Sequence, residues 1–154
     1  MDATPPPLRH LCELKVLLAP IMELGESPRG RRRIIPIKGG TVTGERLNGR
    51  ILDLGADWQT ILADGVAELD TRYAIETDDG ALIDIRNYGF RHGPADVLAA
   101  LARGEPVDPS AYYMRTHPRF ETGDPRYAWL NRLICVGSGS RHPDHVRVSV
   151  FEVL

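Results

Sequence analysis

The chain has 154 residues and a formal net charge of −2, from 19 basic and 21 acidic residues. That length fits one domain burying about two-thirds of its unfolded surface, and the near-neutral balance gives no global field for nucleic acid or an anionic membrane. Cys12 and Cys135 are too few for a disulfide framework, no apolar run approaches the roughly 18 residues of a membrane span, and no signal peptide is evident. The expectation is a soluble, reduced, cytoplasmic protein.

In chain order, residues 1–10 read as a flexible or polyproline lead around Pro5-Pro6-Pro7, ahead of a single domain over 11–154. His10 to Ala19 is apolar enough for a first strand, which Pro20 stops. Leu24 to Gly30 reads as a loop rich in Gly, Pro and Ser. Arg31 to Lys38 alternates weakly, Gly39-Gly40 marks a turn or close backbone approach, and Thr41 to Leu54 suggests strand pieces with a bulge. Arg29, Arg31, Arg32 and Arg33 form the one charge cluster. It lacks the aromatic interleaving of a nucleic-acid surface, leaving a solvated loop or a barrel-mouth arginine that attracts an anionic ligand.

Ala56 to Tyr88 predicts three strands joined by two turns. Asp64-Gly65 reads as a two-residue hairpin loop, and Thr77-Asp78-Asp79-Gly80 as a type I turn closed by a left-handed glycine. The first loop sets Trp58 opposite Thr71; the second sets Tyr73 opposite Ile85. Because strand side chains alternate, Trp58, Thr60, Leu62, Leu69, Thr71, Tyr73, Ile75, Ile83, Ile85 and Asn87 are expected on one inner face. Asp57, Gln59, Glu68, Asp70, Arg72, Glu76, Asp84 and Arg86 are expected on the other.

Gly93-Pro94 opens a helix over Ala95 to Arg103 with Gly104 as its stop, and its Val97, Leu98 and Leu101 suit a plug for one barrel end. Ala111 to Thr116, Tyr127 to Val136 and Val146 to Leu154 read as further strands. About eight short strands and one helix predict a mainly β protein, a closed or nearly closed antiparallel β-barrel.

Several residues carry candidate chemistry. Trp58, Tyr73 and Asn87 offer a stacking surface, a phenol and an amide to an apolar pocket. One face of Tyr127 to Cys135 adds Trp129 and Asn131, although its other face is the more apolar and the alternation leaves both orientations open. Arg115 offers a fork for a ligand carboxylate. Glu121 or Tyr113 would serve as a base or acid if its environment shifted its pKa; Arg115 and Glu121 pairing at the rim is the alternative. His142-Pro143-Asp144-His145 reads as turn chemistry rather than a metal site, and Gly137-Ser138-Gly139-Ser140 as a turn rather than a phosphate loop.

Taken from about Leu11 to Leu154, the chain resembles an uncharacterised family of small bacterial and fungal proteins, the domain of unknown function numbered three-two-three-seven. The resemblance rests on Gly39-Gly40 with Gly44 and Gly49, Gly55-Ala56-Asp57-Trp58, Asp64-Gly65 and Leu69-Asp70-Thr71-Arg72-Tyr73. It continues through Thr77-Asp78-Asp79-Gly80-Ala81, Asn87-x-Gly89, Tyr112-Tyr113-x-Arg115, Phe120-Glu121-Thr122 and Trp129-Leu130-Asn131. Glu45 after Gly44 and Leu54 before Gly55 depart from the family's usual proline and glycine. The resemblance implies a lipocalin-like or streptavidin-like barrel, free of cofactor and often oligomeric, a dimer being the expected form, and carries over no catalytic residue.

These readings converge on a small-molecule-binding barrel whose ligand is an apolar or carbonyl- or carboxylate-bearing metabolite, with Trp58, Tyr73, Asn87, Arg115, Trp129 and Asn131 as binding residues. A cofactor-independent isomerase, cyclase or dehydratase working by proton transfer is the alternative, and a packed oligomeric barrel without ligand is a third. No metal, nucleic acid or membrane partner is expected.

Overall fold

The structure, a computed structural model, describes residues 3–154; Met1 and Asp2, the start of the expected lead, lie outside the described residues. Ten strands form one antiparallel sheet: β1 (Leu8–Leu18), β2 (Met22–Ser27), β3 (Gly30–Thr43), β4 (Gly49–Ile51), β5 (Ala56–Ile61), β6 (Ala67–Thr77), β7 (Leu82–His92), β8 (Tyr113–Glu121), β9 (Cys135–Arg141) and β10 (His145–Val153). Helix α1 (Ala95–Ala102) and two 3₁₀ helices, Pro109–Ala111 and Pro125–Arg132, complete the fold. No helix among the described residues is long and apolar enough to cross a membrane.

The sheet closes because β1 pairs on one edge with β10 and on the other with β3. From β10 the order runs through β9, β8, β7 and β6, then back to β3 through β4 and β5, which share the gap between β6 and β3. The result is a closed eight-stranded antiparallel barrel with two extra strands. Alternation follows the pleat: on β8, Met114, Thr116, Pro118 and Phe120 are buried while Tyr113, Arg115, His117, Arg119 and Glu121 are exposed.

Two apolar clusters divide the interior. The larger holds Leu14, Val42, Leu47, Ile75, Ile83, Ile85, Phe120 and Leu130, and the 3₁₀ helix Pro125–Arg132 seats Leu130 in it. The smaller gathers Ala67, Leu69, Leu101, Tyr112 and Met114, with Val97 and Leu98 of α1 packed against it. Helix α1 therefore plugs one barrel end, as expected, and ends at Gly104, whose φ of +76° favours glycine.

Register decides which side chains enter the barrel. Between β6 and β7 the pairing is as expected, with Tyr73 opposite Ile85; Tyr73 and Asn87 are 2% and 5% exposed while Arg72 and Arg86 face out. Between β5 and β6 it is shifted by one residue. Asp57, not Trp58, stands opposite Thr71, so Asp57 and Gln59 are buried and Trp58 is 39% exposed. The cause is the loop. Leu62 N–H donates to the Val66 carbonyl and Gly65 N–H to the Leu62 carbonyl, so three residues, Ala63-Asp64-Gly65, make the turn. The same two hydrogen bonds recur at Thr77 to Ala81, with Gly65 and Gly80 at φ +87° and +91°. One added loop residue flips the whole strand.

Other expectations change for local reasons. Leu24 to Gly30 is not a loop; β2 continues the β1 line along β3 and turns at Pro28-Arg29. Of Tyr127 to Val136 only Cys135 and Val136 are strand, the start of β9; the rest is not, because Asp124 caps a 3₁₀ helix by accepting from Arg126 N–H at 2.9 Å, with Pro125 at its first position. Gly137 to Ser140 belongs to β9, where a Cβ at Gly139 would lie 2.8 Å from Met114 Cγ; these glycines admit side chains from β8. The first strand begins at Leu8, inside the expected lead.

If both loops are the same turn, Gly65→Ala and Gly80→Ala should cost alike. A Cβ meets nothing within 4 Å at either site, so only the left-handed backbone opposes it, at about 1 kcal/mol each. Chemical denaturation measures both.

Candidate functional site

A cavity of about 40 Å³ lies between the two apolar clusters. Val16, Tyr73 and Val148 of the larger cluster form one side and Leu69, Met114 and Val146 the other. Between them the strands insert a polar band. The register aligns Ile35, Asp57, Thr71 and Asn87 in one row across β3, β5, β6 and β7. The next inward position of each strand brings Arg33 opposite Gln59, and Gly89 between Leu69 and Thr116. One step further, Arg91 stands between Ala67 and Met114, while Arg141 pairs with Val146.

Within this band a hydrogen-bonded chain fixes the carboxylate. Arg33 Nε donates to Gln59 Oε1 at 2.8 Å, and Gln59 Nε2 donates to Asp57 Oδ2 at 2.6 Å. Asp57 Oδ1 accepts the backbone N–H of Asp70 at 3.1 Å. Among the described residues Asp57 is the single acid lining the cavity, and burial pushes its carboxyl above the ordinary carboxylate range, partly opposed by its hydrogen bonds and by Arg91.

The cations outnumber it. Arg91 and Arg141 line the same space and Arg33 stands behind Gln59, and no ion pair among the described residues engages any of the three. Burial, then repulsion from Arg141 and Arg33, pulls the Arg91 guanidinium down to about 10. Arg33 and Arg141 are lowered by burial too. Among the described residues three buried side-chain polar atoms have no protein partner: the Tyr73 hydroxyl, Asn87 Oδ1 and the Thr116 hydroxyl. All three residues line this cavity.

The structure brings together two of the expected binding residues, Tyr73 and Asn87. The other four lie elsewhere. Trp58 is on the outer face of β5 for the register reason given above. Arg115 is on the outer face of β8, donating to the Met114 carbonyl and lying over the Tyr113 ring. Trp129 sits in the 3₁₀ helix, its ring under the Arg46 guanidinium at 4.7 Å. Asn131 brackets the Thr122 backbone, accepting its N–H at 2.8 Å and donating to its carbonyl at 2.9 Å, a strand-end clamp. The expected acid–base candidates Glu121 and Tyr113 face outward on β8, away from the cavity. No group of three or more acidic, His or Cys side chains with metal-binding geometry occurs among the described residues.

Sequence reasoning missed Asp57, Gln59, Thr116, Arg91 and Arg141. Arg91 was within reach, since the β7 alternation Ile83, Ile85, Asn87 continues through Gly89 to it. Thr116 follows from the same alternation once β8 is extended to Glu121.

Residues 6–153 match the family described as "Protein of unknown function (DUF3237)". A UPF0311 protein of Rhodopseudomonas palustris is 47% identical over 146 residues, covering 95% of each chain. The crystal structure of a conserved protein of unknown function from Rhodopseudomonas palustris superposes with a TM-score of 0.94 at 45% identity, over 100% of both chains. That of a β-barrel-like protein from Acinetobacter baumannii gives a TM-score of 0.85 at 47% identity, over 99% of this chain and 100% of the other.

The raised Asp57 pKa fixes a sign. A carboxyl that binds its proton more tightly folded than unfolded gives stability that is complete below the unfolded value, near 3.9, and is lost as pH rises through the folded value. Asp57→Asn should therefore gain on the wild type as pH rises across that window, read by urea unfolding at a series of pH values. Tyr73→Phe, which deletes a buried hydroxyl without a protein partner, should raise stability by about 1 kcal/mol at any of them.

Proposed function

We propose that this chain, which belongs to the DUF3237 family of proteins of unknown function, is a small-molecule-binding barrel whose cavity takes the polar head of a carboxylate- or carbonyl-bearing compound. One observation carries the reading: the Tyr73 and Thr116 hydroxyls, Asn87 Oδ1 and the Arg91 guanidinium converge on one cavity with their hydrogen-bonding capacity unspent on protein carboxylates.

Buried polar atoms are nearly always paired, so a cluster of exceptions around a cavity marks a place where the partner is a guest. The donor set suits an oxyanion or carbonyl oxygen, with Arg91 and Arg141 supplying charge and the two hydroxyls direction. Asn87 Oδ1 accepts from a ligand hydroxyl or N–H. Leu18, Ile35, Met114 and Val148 give the hydrocarbon part apolar walls. At about 40 Å³ the space suits a few water-sized groups. A small acid, or the head of a larger one leaving past the partly exposed Leu18, Arg141 and Val146, fits it.

Thermal unfolding in the presence of 2-oxobutanoate, benzoate, mandelate and cyclohexanecarboxylate tests the reading. A ligand at a hundred times its Kd adds about 2.7 kcal/mol, and the bound acid should raise Tm accordingly. Arg91→Met should weaken binding at least tenfold while raising the Tm of the free protein, since a buried guanidinium without a carboxylate is replaced by packed hydrocarbon, about 1 to 3 kcal/mol. Arg115→Ala, on the outer face, should leave affinity unchanged. No shift with any of the acids would point to a packed barrel without ligand.

A further inference from the structure

We propose that Asp57 is a proton-transfer residue: it removes a proton from the carbon beside the carbonyl of the compound held in the barrel, and returns it. The proposal rests on the binding reading above and adds chemistry to it.

The geometry singles out this side chain. It is the one carboxylate lining the cavity among the described residues, and it is held from two sides, by Gln59 Nε2 at 2.6 Å and by the Asp70 N–H at 3.1 Å. Gln59 is itself locked by Arg33 at 2.8 Å, so the carboxylate is oriented before any ligand arrives. A base placed in this way spends little on reorganisation when the proton moves. The charged groups that act on it are Arg91 and Arg141, which line the cavity, and Arg33, which stands behind Gln59. The neutral Thr71, Tyr73, Asn87 and Thr116 complete the lining.

The step balances within these groups. Asp57 takes the proton from the α-carbon; the C–H electron pair becomes a carbon–carbon double bond, and the carbonyl π pair moves onto oxygen. The resulting enolate oxygen is stabilised by Arg91 and by the Tyr73 or Thr116 hydroxyl, fixed donors in a site of low dielectric. Protonated Asp57 then returns the proton, to the same carbon for exchange or racemisation or to a conjugated one for a double-bond shift. Nothing is oxidised or reduced, and no co-reactant is consumed. Burial, by raising the carboxyl's hold on its proton, moves it toward the range where a base both accepts and releases. The buried cations then have a use in both states, anchoring the ligand's charge at first and the oxyanion afterwards.

The experiment follows deuterium entry at C3 of 2-oxobutanoate, and at the benzylic carbon of phenylpyruvate, in D2O by proton NMR, with Kd for each probe from calorimetry. Wild-type protein should accelerate exchange at least 100-fold over buffer. Asp57→Asn should lose at least 100-fold of that with Kd changed less than threefold, and Asp57→Glu should recover part of it. Gln59→Met, which frees the carboxylate's orientation and keeps its charge, should lower the rate about tenfold from wild type with Kd changed less than threefold, and it carries the test if Asp57→Asn does not fold, an unchanged rate then overturning the role. Probes that bind without exchange, or exchange unchanged in Asp57→Asn, overturn the proton-transfer role and leave the binding reading standing. Failure of both probes to bind overturns the binding reading, and this one with it.

Discussion

The phase of β5 is the constraint on which the interior depends. A strand has two faces and a closed barrel has one inside, so whichever residues of β5 turn inward become permanent residents of the core. Three residues at Ala63-Asp64-Gly65, rather than two, send Asp57 and Gln59 inward and Trp58 out. Asp57 then meets Thr71 and Asn87 in one row, and Gln59 meets Arg33 in the next. With the opposite phase, an indole would fill the space, and the buried arginines would be left without their single carboxylate. A turn of a few atoms at one end of a hairpin thus decides the electrostatics at the far end of the strand, at Asp57.

The barrel itself was legible because its signals are redundant. On β6 and β7, alternation, turn chemistry and β-branched content agree, and Leu69, Tyr73, Ile75, Ile83, Ile85 and Asn87 all lie inside as read. Helix α1 was legible from Pro94 and Gly104 at its ends. The site was less legible because it sits where the signals conflict. Alternation in β5 is ambiguous between a Trp-in and an Asp-in phase, and burial preference alone favours the indole. The inward glycines of β9 read as a turn because their reason, space for Met114 and Thr116, lies on another strand. Tyr127 to Arg132 carries strand-like residues, and the Asp124 cap that wins there is a single side chain.

A band of polar groups across an otherwise apolar barrel is expensive. Arg33, Arg91 and Arg141 are partly or wholly desolvated with one carboxylate among them, and three hydroxyl or amide oxygens lack protein partners. The apolar clusters on either side are separately packed, so filling the gap with hydrocarbon would have been a simple route to a more stable molecule. Its persistence as a polar seam in a well-packed barrel is the pattern of stability given up at a functional site.

If the cavity holds the ligand proposed for it, the same seam would tie the life of the molecule to its occupant. Marginal differences in folding free energy translate into several-fold differences in the fraction of chains open to proteolysis. A barrel whose buried cations outnumber their one carboxylate until a guest arrives would survive longest where that guest is plentiful. Cellular abundance of the protein would then report on the supply of the compound without any regulator reading it, a form of control written into the charge of three arginines.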